Sequence, residues 1–335
     1  MCGRICESDY LDPWRQRRRL NATLELVDSE LVALGGTPFN MTVAGLRLSH
    51  AANAVAQLHG VTSRDMWKDV TGAAPIGAIT NGVHVPTWQD ERVRTAAEKG
   101  EQALLDVHKT LKQELVQAIE RRNEVKLDPS RPIIAFARRA APYKRPNLIL
   151  RDPKWLEKLV KKHGVQIVFS GKAHPADGNG KRIVAELYRY SRDFPQAIVF
   201  VQNYDMDIAR KLTRGADVWL NNPIRPLEAS GTSGMKAALN GVLNASILDG
   251  WWPEGCEYGV TGWAIGDEKQ GLPDQDDRDL QALHKVMEND VLPTLADPAR
   301  QAKMMVASIK MAASKFSSDR MVNDYFAQLY IAKTR

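Results

Sequence analysis

From Pro132 onward, short apolar runs alternate with stretches of helical periodicity, and no other feature restricts the fold so strongly. The runs fall at 133–137, 165–169, 197–201, 217–220 and 243–247, and they are rich in Ile, Val and Phe. Apolar residues on both parities are expected of strands buried on both faces. Between the runs, the spacing predicts helices at about 145–162, 177–191, 205–213 and 233–241. Strands separated by helices need crossover connections, which are right-handed in nearly all proteins. The reading is therefore α/β: a Rossmann-like parallel sheet with helices on both faces. Ligands on such sheets bind beyond the carboxyl ends of the strands.

The flanks read differently. The first eighty or so residues read as a helical segment, with apolar residues three and four apart through 39–60, as in one buried helix. Residues 76–87 read as a turn-rich connection, about 98–122 as a long amphipathic helix, and the tail from about 276 as helical. The expected division is 1–80 helical, 81–315 Rossmann-like and 316–335 a C-terminal helix. Ser318 followed by Asp319 suits the start of that helix.

Chemistry concentrates after the strands. Glu228-Ala229-Ser230-Gly231-Thr232-Ser233-Gly234-Met235-Lys236 runs directly into a helical pattern. Backbone N–H groups unscreened by side chains, at the positive end of a helix, form an anion site. A lysine in the first helical turn suits covalent capture of an aldehyde cofactor that carries a phosphate. Walker A spacing is absent, because Lys236 follows Met235 and precedes Ala237. After the first strand come Arg138, Arg139, Lys144 and Arg145, an oxyanion cluster or else a solvated positive loop.

The Glu228–Lys236 stretch, extended through Asn244-Ala245-Ser246-Ile247-Leu248-Asp249-Gly250, closely resembles the cofactor-lysine segment of the α-glucan (glycogen, starch, maltodextrin) phosphorylases. The resemblance implies that Lys236 carries pyridoxal 5′-phosphate. It also implies that Gly231, Thr232, Ser233 and Gly234 cradle the cofactor phosphate, and that Glu228, Ser230 and Gly231 bond glucose hydroxyls. Arg138-Arg139 with Tyr143-Lys144-Arg145 is similar to a family pattern in which Arg139 and Lys144 would hold substrate phosphate. Arg138 would lie by the cofactor phosphate, and Tyr143 would meet the sugar. Asn203-Tyr204 resembles the pair beside the cofactor ring, and Thr80-Asn81-Gly82 the segment whose asparagine contacts the sugar. His84 fits an Asn-Gly-Val-His variant, with a plain loop or core role as its alternative, and His174 reads as a turn residue of Gly171-Lys172-Ala173-His174-Pro175. Lys315-Phe316-Ser317-Ser318-Asp319-Arg320 resembles the segment opening a terminal helix that reaches back toward the N-terminal domain. The chain departs from the family at Arg138, where lysine is usual, and at Ala140-Ala141-Pro142, where bulkier residues are usual.

The resemblance runs from about Phe39 to about Tyr330. It implies the C-terminal half of a two-domain GT-B glycosyltransferase, lacking the domain that forms the other wall of the cleft. The expected activity is retaining phosphorolysis of α-1,4-glucan to α-D-glucose 1-phosphate, with Arg139, Lys144 and Lys236 as the catalytic set and weak activity for this half alone. Expected partners are glucan, inorganic phosphate and glucose 1-phosphate, and either a separate N-terminal half-chain or a homodimer; the chain itself reads as a truncated gene product or fragment, or as one half of a split enzyme. Two other readings stand: a nucleotide-sugar glucosyltransferase of GT-B type, or a non-catalytic cofactor-binding or interaction subunit.

Composition excludes other classes. A net charge of +6 is small for 335 residues, and the basic run Arg15-Gln16-Arg17-Arg18-Arg19 lacks interleaved aromatics, so nucleic acid is not an expected partner. Cys2, Cys6 and Cys256 form neither a disulfide framework nor zinc spacing, so no metal is expected. With no signal peptide or spanning apolar run in view, the expected location is the cytoplasm, away from membranes.

Overall fold

The five apolar runs become five adjacent strands of a six-stranded, wholly parallel sheet in the computed structural model, which describes residues 28–330 apart from 270 and 272. Cys2, Cys6, the Arg15–Arg19 run, the start of the helical segment and residues 331–335 of the C-terminal helix lie outside the described residues. Two short strands come first, β1 (Ala52–Ala54) and β2 (Ile76–Ala78), paired in parallel. The main sheet contains β3 (Ile133–Ala137), β4 (Gln166–Ser170), β5 (Ile198–Val201), β6 (Val218–Asn221), β7 (Leu243–Ile247) and β8 (Gly262–Ile265). Its spatial order is β5-β4-β3-β6-β7-β8. Sequence progress therefore reverses between β3 and β6, as in a doubly wound, Rossmann-like sheet, and the crevice above such a reversal is where ligands collect.

Residues of alternate parity feed separate cores. Ile134, Phe136, Ile167, Phe169, Val218 and Leu220 face one apolar layer, while Ile133, Ala135, Ala137, Val168 and Trp219 face another. In chain order the helices begin with α1 (Asp28–Gly35), α2 (Met41–Leu48), α3 (Gln57–Met66) and α4 (Val85–Trp88). Next come α5 (Glu91–Lys99), α6 (Glu101–Asn123), α7 (Pro153–Glu157), α8 (Gly178–Asp193) and α9 (Met206–Gly215). Then follow α10 (Thr232–Ala238), α11 (Trp252–Gly255), α12 (Gln275–Val286), α13 (Leu292–Leu295), α14 (Pro298–Lys315) and α15 (Ser318–Tyr325).

Several expectations need correction. The single helix expected through 39–60 is broken, because α2 ends at Ser49 and the chain then extends into β1 before α3. Its three-and-four spacing was satisfied by two short helices with a strand between them. The helix expected over 98–122 begins only at Glu101, because Gly100 turns the chain out of α5 at φ 116°. The 145–162 stretch is a short 3₁₀ turn, then α7 with Pro153 at its first position and Asp152 capping the Lys154 and Trp155 amides, then a π turn. The terminal helix does start at Ser318, with Ser317 just before it as the cap, its side chain accepting from the Arg320 amide. Strand β8 and the β1–β2 pair were not anticipated.

At the amino end of the β3–β6 junction, Asp217 is 5% exposed. It accepts from Lys112 Nζ at 2.6 Å, His108 Nε2 at 3.0 Å and the Ile133 amide at 2.7 Å. Helix α6 is thus locked to both strands through one carboxylate. Burial alone would raise the Asp217 pKa, but the His108 hydrogen bond and the Lys112 charge hold it below its usual value. Cys256 is partly buried and free, and burial pushes its thiol up to about 12, leaving it inert. Among the described residues, no helix is long and apolar enough to cross a membrane.

Candidate functional site

The loops at the carboxyl ends of β3, β6 and β7 meet over the reversal in strand order. Arg138, the first residue past β3, donates through Nη1 to Asn221 Oδ1 at the end of β6 and pairs through Nη2 with Glu228 Oε2 at 2.9 Å. Lys144 Nζ reaches the same Oε2 at 2.6 Å and also lies 4.5 Å from the Tyr143 ring centroid. The three charged side chains are 7–8% exposed. A charge removed from water this far is tolerated only with a partner, so the cluster stands as a unit.

The other cations of the run take different paths. Arg145 is 2% exposed and turns away, bonding the Asn222 and Pro223 carbonyls and pairing with Asp276 and Asp279. Its role is to fasten the loop to α12, so the expected cluster of four cations is corrected to Arg138 and Lys144. Arg139 is exposed and shares no hydrogen bond or ion pair with the cluster. Lys172 is also exposed, while His174 Nδ1 accepts from the Ala176 amide, as a turn residue does. His84 is exposed beside Thr87 at the start of α4.

Beyond Glu228 the backbone is tightly interlocked. Asp249, just after β7, accepts the Glu228 amide at 2.9 Å and the Gly250 amide at 2.8 Å. The Trp251 amide donates to the Ser230 carbonyl at 2.9 Å. A Cβ at Gly250 would stand 2.2 Å from that same carbonyl, so only glycine fits there. Gly231 precedes α10 at φ 84°, in the left-handed region, with Glu228 and Arg138 beside the place a side chain would fill. Gly234 has a packing reason of its own: a Cβ there would meet Asn244 Oδ1 at 2.6 Å.

Burial pushes the Asp249 carboxyl up to about 6, with the Glu228 charge adding to the effect and its amide bonds and Arg225 opposing it. A folded-state value above the unfolded one means that the folded chain binds the proton more tightly. This contribution to stability is present below about pH 4 and is lost as the pH rises through about 6. Asp249→Asn should therefore flatten the pH dependence of stability across that window, as followed by urea midpoints. A slope identical to that of the unaltered chain would contradict the assignment.

Helix α10 starts at Thr232, so Lys236 stands in its second turn and not its first. Burial lowers its pKa, which favours the neutral, nucleophilic amine. Its Nζ lies 3.7 Å from the centroid of the Trp88 ring. Asn240 holds that tryptophan in place: its side chain donates to the Trp88 carbonyl at 2.9 Å and accepts from the Asp90 amide at 2.8 Å. Trp88 was missed in the sequence, one residue beyond the connection read at 76–87. Asn221 and Asp249 were also missed as supports, although they stand one and two residues past apolar runs.

The Ser230 and Ser233 hydroxyls are buried without a protein partner. Tyr204 is partly buried, with its pKa raised by burial and opposed by the nearby Arg138 charge. Asn81 lies on the strap Thr80–Val83, held by Arg320, which donates to the Thr80 and Asn81 carbonyls, and by Glu254, which accepts from Thr80 Oγ1 at 2.7 Å. The strap is also bridged to the start of α15, with the Val83 amide on Phe316 and the Ser318 amide on Val83. Among the described residues, no three His, Cys, Asp or Glu side chains converge to hold a metal ion.

The family model of the carbohydrate phosphorylases matches residues 91–254, from α5 to α11, a span that holds Arg138, Lys144, Glu228 and Lys236 but not Trp88. Maltodextrin phosphorylase of Thermococcus litoralis is 40% identical over 93% of this chain and 43% of its own length. Glycogen phosphorylase of Aquifex aeolicus is 40% identical over 87% of the chain and 49% of its own length. The Mycobacterium tuberculosis glycogen phosphorylase is 36% identical over 96% and 44%. This chain thus spans less than half the length of these relatives, and over that span it is homologous to the glycogen and maltodextrin phosphorylase family.

Proposed function

We propose that this chain is the cofactor- and phosphate-binding half of an α-glucan phosphorylase, its sheet forming the C-terminal domain of a GT-B architecture. The reaction moves the terminal α-1,4-glucosyl unit of a glucan to inorganic phosphate with retention, giving α-D-glucose 1-phosphate. The bond from C1 to the next sugar breaks, a bond from C1 to a phosphate oxygen forms, and the departing oxygen takes its proton from substrate phosphate. The observation carrying this reading is a half-buried lysine of lowered pKa over Trp88, on the helix that follows the loop supplying Glu228 to Lys144 and Arg138.

The residues present fit pyridoxal 5′-phosphate. Lys236 supplies the amine, Trp88 a flat apolar floor, and Ser233 a hydroxyl without a protein partner. Ser233 lies one turn before Lys236 on the same helix face. Gly231, Thr232 and Gly234 complete the cradle, with Tyr204 at the ring and Arg138 at the phosphate. When bound, the cofactor supplies a phosphate group that exchanges a proton with substrate phosphate. Two like charges about 4 Å apart repel by roughly 4 kcal/mol at an effective dielectric of about 20, so cations between the phosphates are essential. Lys144 and Arg138 provide that charge from inside the fold, and Arg139 adds to it from the exposed rim. Asn81, Tyr143, Glu228 and Ser230 orient the sugar.

The direct test is incubation with pyridoxal phosphate, borohydride reduction and peptide mapping. One adduct per chain on Lys236 is expected, and labels scattered over surface lysines would refute the reading. Protection from unfolding by a nucleotide sugar, without cofactor uptake, would favour the glucosyltransferase instead.

A further inference from the structure

Glu228 is claimed by two chemistries. The proposed function gives it to the sugar, yet its Oε2 accepts from Lys144 at 2.6 Å and Arg138 at 2.9 Å, the cations that function assigns to phosphates. Its amide is fixed to Asp249, so the backbone at this position is anchored while the side chain retains its own torsions. Among the described residues, no hydrogen bond to its Oε1 is formed. A Cβ at Gly231 would come 3.3 Å from Glu228 Cγ and 3.4 Å from Arg138 Nη2, so the glycine leaves room beside both groups.

We propose that Glu228 is the internal counter-ion of the phosphate site, displaced from Lys144 and Arg138 by an incoming phosphate and thereby released toward the sugar. The inference rests on the reading of Lys144 as a phosphate ligand. Two cations held 7% exposed near one point repel each other, and the carboxylate makes that arrangement tolerable before substrate arrives. A phosphate near neutral pH carries more charge than a carboxylate and more acceptor oxygens, so it outcompetes the carboxylate for the same donors. The exchange involves no bond making or breaking beyond hydrogen bonds and ion pairs.

Coupling follows from the exchange. Phosphate that frees Glu228 prepares a sugar acceptor, and a sugar that captures Glu228 frees two cations for phosphate. Linkage makes the two effects equal. The carboxylate therefore weakens phosphate binding when no sugar is present, and a site with cations alone would lack this dependence.

The experiment is a calorimetric titration with inorganic phosphate at constant ionic strength, comparing the unaltered chain with Glu228→Gln, Glu228→Asp and Lys144→Met. Tryptophan emission checks each fold, since Trp251 and Trp252 pack in the core beside this loop. Glu228→Gln should bind phosphate about tenfold more tightly, within the usual range of coupling between two ligands. Glu228→Asp, one methylene shorter and still charged, should tighten it less and guards against a glutamine variant that fails to fold. Lys144→Met should abolish the binding. Lys144-dependent binding that is unchanged or weaker in both Glu228 variants would overturn the counter-ion role and leave the phosphate site standing. Absence of Lys144-dependent binding in every variant would overturn both.

Discussion

Lys236→Ala should reduce the borohydride-trapped cofactor from one per chain to background, with tryptophan emission and secondary structure unchanged. The substitution removes the one amine that stands over Trp88 and leaves the helix sound, since alanine is the best helix former. Other lysines cannot take over by proximity. Lys144 is bound to Glu228, and Lys172 is exposed. Burial lowers the Lys236 pKa, so at neutral pH more of this amine is in the uncharged form that attacks an aldehyde than is the case for a surface lysine. Lys236→Arg provides the stricter control, retaining length and charge without an amine able to condense. A full equivalent of adduct in the alanine variant, mapped to any other lysine, would end the assignment of this loop as the cofactor site.

The second large effect concerns stability. Asp217→Ala should destabilise the chain by about 3–5 kcal/mol, because removing one partner leaves a buried charge uncompensated. Three donors converge on this carboxylate: Lys112, His108 and the Ile133 amide. Urea midpoints with an unchanged denaturant slope would measure the loss. Since the Asp217 pKa is held low in the fold, its contribution is present above about pH 4 and fades as the pH falls below that. A change under about 0.5 kcal/mol, typical of a surface substitution, would show that the clamp is relaxed in solution.

The main sheet was legible because its strands are buried on both faces and so announce themselves as continuous apolar runs, as at Ile133–Ala137. Strand β8 was not, since Gly262-Trp263-Ala264-Ile265 is short and follows a glycine-rich turn. The break at Ser49–Ala54 was hidden because helix-compatible spacing persists through a stretch whose conformation is set by pairing with Ile76–Ala78. Within the site, residues carried by loops of distinctive composition, such as Lys236, Glu228 and Lys144, could be named from the chain. Their supports could not. Asn240 fixing Trp88, Asp249 fixing Glu228 and Asn221 holding Arg138 are single polar residues whose meaning lies in what the fold brings to them. Arg145 is the reverse case: it shares a run with the other cations, and left-handed backbone at φ 44° accompanies its departure from them.

The strap at Thr80–Val83 has a consequence for synthesis. Arg320, which holds the Thr80 and Asn81 carbonyls, lies 240 and 239 positions later in the chain. Contacts of such separation close late, because ordering the intervening polypeptide must come first. While a ribosome is still making the chain, the sheet and the helix bearing Lys236 can assemble, but the Thr80 and Asn81 carbonyls lack their donor until Arg320 has left the exit tunnel. A nascent chain stalled near Lys315 would thus carry the loops assigned to cofactor and phosphate without the fastening of the strap assigned to the sugar. The stretch at Arg320 thus completes one translated 240 positions before it.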